Sequence, residues 1–254
     1  MNADKEIDGI IVFLKKTFDA VGFKTAVVAV SGGVDSAVSL SLVQLALGED
    51  NVYPILLPYS SLNTQGVLDG MELINKLHIP LTHVIRVDIK PAVDMIVGKE
   101  VLGMDNVRKG NIMARVRMVY LFDQAKKRNA LVVGTENKSE HLLGYFTRFG
   151  DSASDVEPMS HLYKTQVIEL AQALGVPQSI ITKPPSAGLW PEQTDEKEFG
   201  FSYKEADQML SLLYDKKMTI EEVVASGFER GLVERIEARV AQNSFKHQTP
   251  YVLT

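Results

Sequence analysis

The sequence predicts an α/β fold, a doubly wound and mostly parallel sheet with helices on both faces. Short runs rich in Val, Ile and Leu recur through the first half of the chain, as buried strands do. Segments with the apolar spacing of helices separate these runs and are long enough for the crossovers that join parallel strands. A glycine-rich turn directly follows the first apolar run, at the edge where such sheets bind ligands.

Each element follows from its own pattern. Residues 4–20 carry apolar side chains at helical spacing and predict a first helix. The apolar runs predict strands at 26–31, 52–57, 83–88 and 130–134. Helical spacing predicts further helices at 37–47, 107–128, 203–214, 219–226 and 229–243.

Two segments, 144–160 and 183–200, have neither periodicity and are rich in Gly, Ser, Pro and Asp. Loops of this length inside a compact domain favour lids or binding loops, with disorder as the alternative. Trp190 lies in the second segment between two prolines, which favours a lid contact over a core position.

Composition limits the class of protein. The chain has 254 residues, 45% of them hydrophobic, which suits one large domain or at most two small ones. Its formal net charge of −5 gives no global attraction to nucleic acid. No apolar run is as long as a membrane span and the first ten residues are acidic, so we expect a cytoplasmic protein with no membrane partner. The absence of cysteine excludes disulfides, thiolate zinc sites and a cysteine nucleophile.

The glycine-rich turn reads Ser-Gly-Gly-Val-Asp-Ser at residues 31–36. Two adjacent glycines let backbone N–H groups close on an anion with no Cβ in the way, and the following helix start adds partial positive charge. The turn therefore predicts a phosphate site. Asp35 would lie beside the phosphates, where two anions repel each other unless a hard cation lies between them, so it indicates Mg²⁺.

A second segment, Gly-Thr-Glu-Asn-Lys-Ser-Glu at 134–140, follows the last predicted strand. We expect a helix here that places Glu136 and Glu140 one turn apart on one face, where either carboxylate could bind Mg²⁺. The alternative is a solvated helix start, since acidic residues favour first turns.

Arg115 lies between Val119 and Phe122 in an otherwise apolar sector of the predicted helix 107–128. A buried cation needs a partner. This could be a carboxylate at the edge of the core or the anion of a ligand, which a guanidinium fork suits.

These segments carry a family resemblance. The turn at 31–36 resembles the pyrophosphate loop of the adenine nucleotide α-hydrolases, which are ATP pyrophosphatases. Within that group, four more segments resemble the ammonia-dependent NAD⁺ synthetases: GTENKSE (134–140), GYFTRFGDSASD (144–155), LYKTQV (162–167) and KPPSAGLWPEQTDE (183–196). The resemblance covers most of residues 25–205.

The resemblance implies a role for each matching residue. Mg²⁺ would be held by Asp35 and Glu140, and Asp35 and Lys164 would be the catalytic residues. ATP would be bound by Ala29, Val30, Ser31, Gly32, Gly33, Val34, Asp35, Ser36, Thr135, Lys164 and Ser186. Deamido-NAD⁺ would be bound by Arg115, Arg148, Asp155 and Lys246.

The resemblance also implies a reaction and its partners. The nicotinate carboxylate of deamido-NAD⁺ would attack the α-phosphorus of ATP, pyrophosphate would leave, and ammonia would then displace AMP. Glutamine-dependent relatives carry an additional glutaminase domain with a cysteine nucleophile, and this chain has neither the length nor a cysteine. We therefore expect one synthetase domain over residues 1–254 that uses free ammonia, unless a separate glutaminase docks. The family is homodimeric, with helix 107–128 as a candidate interface element.

The chain departs from the family at three places. Ser152 and Ala153 stand where the family usually has glycines, and the tail reads Phe245-Lys246-His247 where a His-Lys pair is frequent. Ser186 replaces a threonine and keeps the hydroxyl group.

Two alternatives stay open at this point. One is another ATP pyrophosphatase, such as a tRNA-modifying or GMP-synthetase-like ligase, although the acidic charge and missing cysteines disfavour a thiolating tRNA enzyme. The other is a non-catalytic nucleotide-binding regulator, which would not need both Asp35 and Glu140.

Overall fold

The computed structural model describes residues 1–98, 103–248, 250, 251 and 253, and its central element is a parallel sheet. Four strands lie in the order β3-β2-β1-β4: β1 Thr25–Ala29, β2 Val52–Leu56, β3 Ile85–Arg86 and β4 Ala130–Val133. The register places Val27 beside Tyr53 of β2 on one side and beside Val132 of β4 on the other. The predicted α/β class with a parallel sheet is confirmed.

Twelve α-helices lie in the described part of the chain. They are α1 Ala3–Val21, α2 Val34–Leu47, α3 Thr64–Lys76, α4 Lys90–Val97, α5 Asn106–Arg128, α6 Lys138–Leu143, α7 Lys164–Ala173, α8 Gln178–Ile181, α9 Asp195–Phe199, α10 Tyr203–Leu210, α11 Ile220–Ala225 and α12 Arg230–Asn243.

The two faces of the sheet carry different cores because successive strand side chains point to opposite faces. Val28 of β1 packs in a cluster with α1, α2 and α7, whereas its neighbour Val27 packs in a second cluster with α4 and α5. Both faces are thus covered, which is why the central strands are nearly continuous apolar runs. A third cluster joins α6, α10, α11 and α12 beyond the sheet.

Helix α1 shows how a local pattern becomes packing. Asn2 caps it by accepting a hydrogen bond from the N–H of Lys5, and Gly22 ends it in the left-handed conformation. Its buried side chains, Ile10, Leu14 and Phe18, recur every four residues and face the core.

Two predicted elements are shorter than their patterns suggested. The predicted strand 83–88 pairs only at β3, because residues 81–83 form a 3-10 turn before it. The predicted helix 203–214 ends as α10 at Leu210 and continues as one wide π turn. Of the two segments predicted as loops, 183–200 contains the short helix α9.

Segment 144–160 closes the free edge of the sheet. Val156 bridges to Val133 of β4, and the Asp155 carboxylate accepts a hydrogen bond of 2.8 Å from the N–H of Val132. The N–H of Asp155 donates back to the carbonyl of Val132 at 2.9 Å. An edge strand covered in this way offers fewer free groups for pairing with another chain.

No helix of the described residues combines the length and the apolar character that crossing a membrane requires.

The buried face of α1 predicts a large loss of stability on truncation. Phe18 is 1% exposed, so Phe18→Ala should lower the free energy of unfolding by about 3–5 kcal/mol. Phe13, on the same helix, is 46% exposed, and Phe13→Ala should stay within about 0.5 kcal/mol of wild type. Urea denaturation of both variants measures the difference, and equal losses would contradict the assigned burial.

Candidate functional site

A cavity of about 650 Å³ opens at the carboxyl ends of β1, β2 and β4. All eight residues at 29–36 line it, together with the turn after β4 and the segment 183–190. Ligands bind at this edge in open parallel sheets because the strands deliver their following loops there. The turns after β1 and β4 are about a hundred residues apart in the sequence, and both line this cavity.

The turn at 31–36 is held by its own hydroxyl groups. The Ser36 hydroxyl donates to the carbonyl of Gly33 at 3.0 Å and accepts from the N–H of Ser31 at 3.2 Å. The Ser31 hydroxyl accepts from the N–H of Gly33 at 3.2 Å. Gly33 is the N-cap of α2, so the first turn of that helix presents its unpaired N–H groups at the cavity.

Gly32 lies in the left-handed region, with φ +78°, and its backbone touches another glycine. A Cβ on Gly32 would lie 2.3 Å from the carbonyl oxygen of Gly66, and a Cβ on Gly66 would lie 2.3 Å from the carbonyl oxygen of Ser31. The turn therefore packs backbone against backbone on α3, which only two glycines permit.

Three charged side chains meet at the floor of the cavity. The Lys164 ammonium donates to Asp35 Oδ2 at 2.5 Å and to Glu140 Oε1 at 2.9 Å. The three side chains are 3%, 17% and 18% exposed for Lys164, Asp35 and Glu140 respectively. Residues from three separate predicted motifs thus form one ionic cluster, which we call the Lys164 triad.

The Lys164 triad holds two acids against one base. Burial raises the pKa of Glu140 to about 8, and Asp35 adds to the rise while Lys164 opposes it. Burial by itself lowers the pKa of Lys164, but the two carboxylates outweigh it and hold that pKa above its usual value. Glu140 therefore binds a proton more readily than a free carboxyl group does, and a cation in this partly dry site could take the place of that proton.

Helix caps place the members of this triad. The Asn137 side chain accepts from the N–H of Glu140 as the N-cap of α6, and it donates to Asp35 Oδ1 at 2.8 Å. The N–H of Lys164, at the start of α7, donates to the buried Ser139 hydroxyl at 2.8 Å. Asn137 and Ser139 are both fully buried, so their positions are fixed by packing as well as by hydrogen bonds.

The donors of the triad suit a magnesium ion. Two carboxylates from different helices converge on one positive charge, and Mg²⁺ is usually bound by one or two carboxylates that leave room for waters and substrate phosphates. Among the described residues no group of three or more His, Cys, Asp or Glu side chains is arranged to hold a metal ion. Any ion held here would therefore need oxygen ligands from outside the chain.

The structure places the predicted residues unequally. Thr135, Lys164, Ser186 and Lys246 all line the cavity, as do the eight residues of the loop. Arg115, Arg148 and Asp155 do not line it. Asp155 lies at the edge of β4, and Arg148 stacks its guanidinium over the Phe245 ring at 5.0 Å.

The expectation that Arg115 is buried in an apolar sector is wrong. Arg115 is exposed and donates through Nε to the carbonyl of Arg148 at 3.3 Å, while the neighbouring Val119 is 61% exposed. Only part of the predicted apolar sector is buried, since Phe122 packs against the core cluster under α5 whereas Arg115 and Val119 face solvent.

Arg117, on the other face of this helix, is half-buried. It donates through Nε to the carbonyl of Leu57 at 3.0 Å and through Nη2 to Asn63 Oδ1 at 3.3 Å, and it lines the cavity. Burial lowers its pKa to about 10, with Asp151 opposing the shift. Residues two positions apart lie about 200° apart around a helix, on nearly opposite faces, so the prediction took the wrong face of this helix as the buried one.

The expectation that Glu136 and Glu140 share a helical face is also wrong. Helix α6 begins at Lys138, so Glu136 precedes it. Glu136 Oε2 lies 3.3 Å from His141 Nδ1, and its N–H donates to Glu157 Oε2 at 3.1 Å. The helix starts later because Asn137 is the stronger N-cap.

Glu157 lies beneath the turn after β4. A Cβ on Gly134 would come within 1.8 Å of Glu157 Oε1, so this glycine makes room for the carboxyl group. Burial raises the pKa of Glu157 to about 7, and Glu136 adds to the rise while the hydrogen bond from Ser154 opposes it.

The segment 183–193 lies over the cavity and is tied down at several points. The Asn63 side chain donates to the carbonyl of Gly188 at 3.0 Å, and the N–H of Leu189 donates to Gln193 Oε1 at 2.8 Å. Trp190 lines the cavity, which agrees with the lid contact predicted for it. At the far end, the Lys246 ammonium donates to the carbonyls of Gly144 and Phe146 at 2.5 and 3.0 Å.

Sequence reasoning missed several residues of the cavity. Asp195, at the start of α9, is 3% exposed, accepts from the Tyr203 hydroxyl at 3.0 Å and has burial as the main cause of its raised pKa. Lys183 contacts the glycine-rich turn, donating to the carbonyl of Gly32 at 3.3 Å. Arg117 could have been found from the second arginine in the helix, but Asp195 and Lys183 carry no local signal beyond their place in a matching segment.

The chain is similar to known proteins of one family over nearly its full length. The family model of NAD synthase matches residues 6–250. An NH3-dependent NAD⁺ synthetase of Chlorobium phaeobacteroides is 42% identical over 249 residues, which cover 96% of this chain and 88% of the relative. One from Fusobacterium nucleatum is 40% identical over 99% of this chain and 96% of its own length.

Two solved structures of similar proteins have the same fold as this chain. A structure of an NMN synthetase from Francisella tularensis has a TM-score of 0.85 and 33% identity, covering 100% of this chain and 98% of its own. A structure of an NH3-dependent NAD synthetase from Campylobacter jejuni in complex with the nitrate ion has a TM-score of 0.84 and 29% identity, covering 100% of both chains.

The buried Glu157 predicts a pH-dependent stability. The folded chain binds this proton more tightly than the unfolded chain, whose carboxyl has the ordinary pKa of 4.5. The group therefore costs nothing below pH 4.5, and its cost grows as the pH rises toward 7. Glu157→Gln removes that cost, so between pH 5 and pH 8 the variant should gain about 2–3 kcal/mol of unfolding free energy relative to wild type.

Urea denaturation of both proteins at pH 5 and pH 8 measures this gain. A constant difference between them at the two pH values would contradict the raised pKa of Glu157.

Proposed function

The chain belongs to the NAD synthase family, and from that membership we propose that it joins ammonia to the nicotinate carboxyl group of deamido-NAD⁺ with ATP as co-substrate. Curated relatives about 40% identical over nearly the full length carry the name NH3-dependent NAD⁺ synthetase. The chain is accordingly an enzyme of the ligase class. The observation that carries the proposal is the Lys164 triad beside a glycine-rich phosphate turn, in a cavity of about 650 Å³.

We infer that ATP binds with its phosphates over the turn at 31–36. The first N–H groups of α2 and the two glycines offer donors to phosphate oxygens with no Cβ between them. Thr135 and Ser186 line the same cavity and can add hydroxyl donors. The chain is acidic as a whole, so binding of this anion depends on these local donors.

Asp35 and Glu140 would hold Mg²⁺, which when bound neutralises charge on the phosphates. Lys164 supplies a second positive charge at the same place and would contact phosphate oxygens once the carboxylates have another cation. The protein positions the reacting groups and balances their charge, and no side-chain nucleophile is needed.

The nicotinate carboxylate would attack the α-phosphorus of ATP, with pyrophosphate as the leaving group. Ammonia would then attack the activated carbonyl carbon, and AMP would leave with the bonding electrons of the acyl phosphate. Segment 183–193 over the cavity would keep water from the adenylate.

Deamido-NAD⁺ would occupy the part of the cavity that ends at Lys246. Arg115, Arg148 and Asp155 do not line the cavity of this chain. Arg115 and Asp155 are exposed to solvent, and Arg148 is half-buried. We propose that they meet the dinucleotide where a second chain completes the site, with the exposed face of α5 in a homodimer. Val107 and Val119 on α5 are each 61% exposed, and Met95 on α4 is 71% exposed, which a partner subunit would cover.

We further propose that residues 1–254 form one synthetase domain that takes free ammonia, in the cytoplasm and without a nucleic acid partner. The chain lacks a cysteine for a glutaminase reaction of its own. The solved structure of an NMN synthetase is 33% identical, so the nucleotide chain attached to the nicotinate ring is the part of the substrate that needs a direct test.

The proposed reaction predicts NAD⁺ formation with ammonium and its loss when the triad is broken. Purified protein with ATP, Mg²⁺, deamido-NAD⁺ and ammonium should form NAD⁺, followed with a coupled dehydrogenase. Asp35→Asn and Glu140→Gln should each lower kcat/KM for ATP by about 100-fold or more, because each removes a carboxylate that would hold Mg²⁺ at the phosphates. Glu234→Gln, in an exposed ion pair with Arg230 on α12, is the matched control and should leave the activity unchanged.

Two further reactions define the substrate. Glutamine in place of ammonium should give no NAD⁺, and nicotinate mononucleotide in place of deamido-NAD⁺ should be a poor substrate. Preferred amidation of nicotinate mononucleotide would replace the proposed substrate and keep the chemistry. No pyrophosphate release with either substrate would overturn the proposed reaction.

The proposed homodimer would bury Val119 of α5, so a charged side chain at this position should prevent the dimer from forming. Wild type should sediment at twice the mass of the chain, and Val119→Asp should sediment as a monomer because a charge buried at an interface is costly. Val12→Asp, on α1 across the sheet, is the control, since Val12 is 48% exposed and should leave the dimer intact. A monomeric wild type would contradict the proposal.

A further inference from the structure

Lys183 makes a contact that the proposed reaction does not use. It stands at the start of the segment 183–193, and its ammonium donates to Asp69 Oδ2 at 2.5 Å and to the carbonyl oxygen of Gly32 at 3.3 Å. Gly32 belongs to the phosphate turn and Asp69 to α3. One side chain therefore joins the segment above the cavity, the turn below it and a helix beside it.

The partner of Lys183 is fixed. Asp69 is 3% exposed, and its second oxygen accepts from Gln65 Nε2 at 2.8 Å. A buried carboxylate with both oxygens in use has little freedom to turn, and leaving it unpaired is strongly unfavourable. The ammonium is therefore held at a defined point next to the turn.

The hydrogen bond to Gly32 fixes the orientation of a peptide group. In a trans peptide the C=O and the following N–H point in opposite directions. With the carbonyl of Gly32 directed at Lys183, the N–H of Gly33 is directed at the Ser31 hydroxyl, 3.2 Å away, which lines the cavity. A peptide between two glycines has no side chain to restrain its rotation, so its orientation depends on the contacts at its two ends, with Lys183 and with Ser31.

We infer that Lys183 is a positioning residue that fixes the Gly32–Gly33 peptide, and through the N–H of Gly33 the Ser31 hydroxyl on the cavity wall, and thereby couples the phosphate turn to the segment 183–193. The inference rests on the proposed ATP site. It assigns Lys183 and Asp69 to one device, in which Asp69 anchors the ammonium and the ammonium orients the peptide. A direct phosphate contact by Lys183 is the rival role, and the two roles predict opposite effects at Asp69.

The test measures binding of Mg²⁺-ATP and of Mg²⁺-pyrophosphate by calorimetry in wild type and four variants. Lys183→Met removes the donor and should raise Kd for both ligands about tenfold, the effect expected for one lost hydrogen bond to a charged group. Lys183→Arg keeps a charged donor and should stay within about threefold of wild type. Asp69→Asn leaves the lysine without its anchor and should weaken binding in the same direction as Lys183→Met.

Lys76→Met is the matched control. Lys76 also donates to a glycine carbonyl, that of Gly175, but outside the cavity, and its loss should leave Kd unchanged. KM for ATP should rise in Lys183→Met while KM for deamido-NAD⁺ stays within about twofold, a split that general destabilisation would not give. Trp190, the single tryptophan of the chain, reports on the coupled segment, so its fluorescence response to ATP should shrink in Lys183→Met.

Each outcome decides between the roles. Tighter binding in Asp69→Asn, with weaker binding in Lys183→Met, would overturn positioning in favour of direct contact. Unchanged Kd in both variants, with wild type still making NAD⁺, would overturn this inference and leave the proposed function standing. Absence of ATP binding by wild type would overturn the proposed function and this inference together.

Discussion

The fold depends on the balance of charge in the Lys164 triad. Asp35, Glu140 and Lys164 come from the first turns of three helices, and each is at least four-fifths buried. Removing Lys164 would leave the two carboxylates without their partner, which costs several kcal/mol. The triad therefore locks α2, α6 and α7 into one arrangement at the ends of the strands. Its second acid also means that two carboxylates are already in place for a metal ion, which would take its other oxygen ligands from substrate and water.

The same three helices begin at the cavity, and their polarity adds to its chemistry. Gly33, Asn137 and Tyr163 are their N-caps, so three helix starts with partial positive charge converge where the side chains supply two acids. A chain of net charge −5 can in this way present a locally positive surface to phosphate oxygens. Capping, which is a local property of each helix, thus becomes a property of the site.

The sequence allowed the parallel sheet and the meeting of the turns at 31–36 and 134–140 to be predicted, because strand periodicity and strand-end loops follow directly from the chain. The place of Lys164 beside Asp35 and Glu140 was implied only by the family resemblance. The sequence did not allow Arg115 and Arg117 to be told apart, since α5 has apolar residues on both sides of its buried stripe and the choice depends on how the helix is rotated against β1 and β4. The prediction placed Glu136 inside a helix, but Asn137 is the N-cap and the helix begins after it. Asp69 and Lys183 are 114 residues apart, so no local sequence pattern predicts that they form an ion pair in the folded chain.

The contact between Gly32 and Gly66 limits how the site could be redesigned. The two backbone segments are so close that neither glycine can carry a side chain. A substitution at either one therefore needs a shift of the whole start of α3. Neither position is open to stepwise change in a mutational screen, even though neither carries a functional group. Altered nucleotide selectivity would have to be sought at neighbours such as Val67, which faces the same cavity with a side chain that can vary.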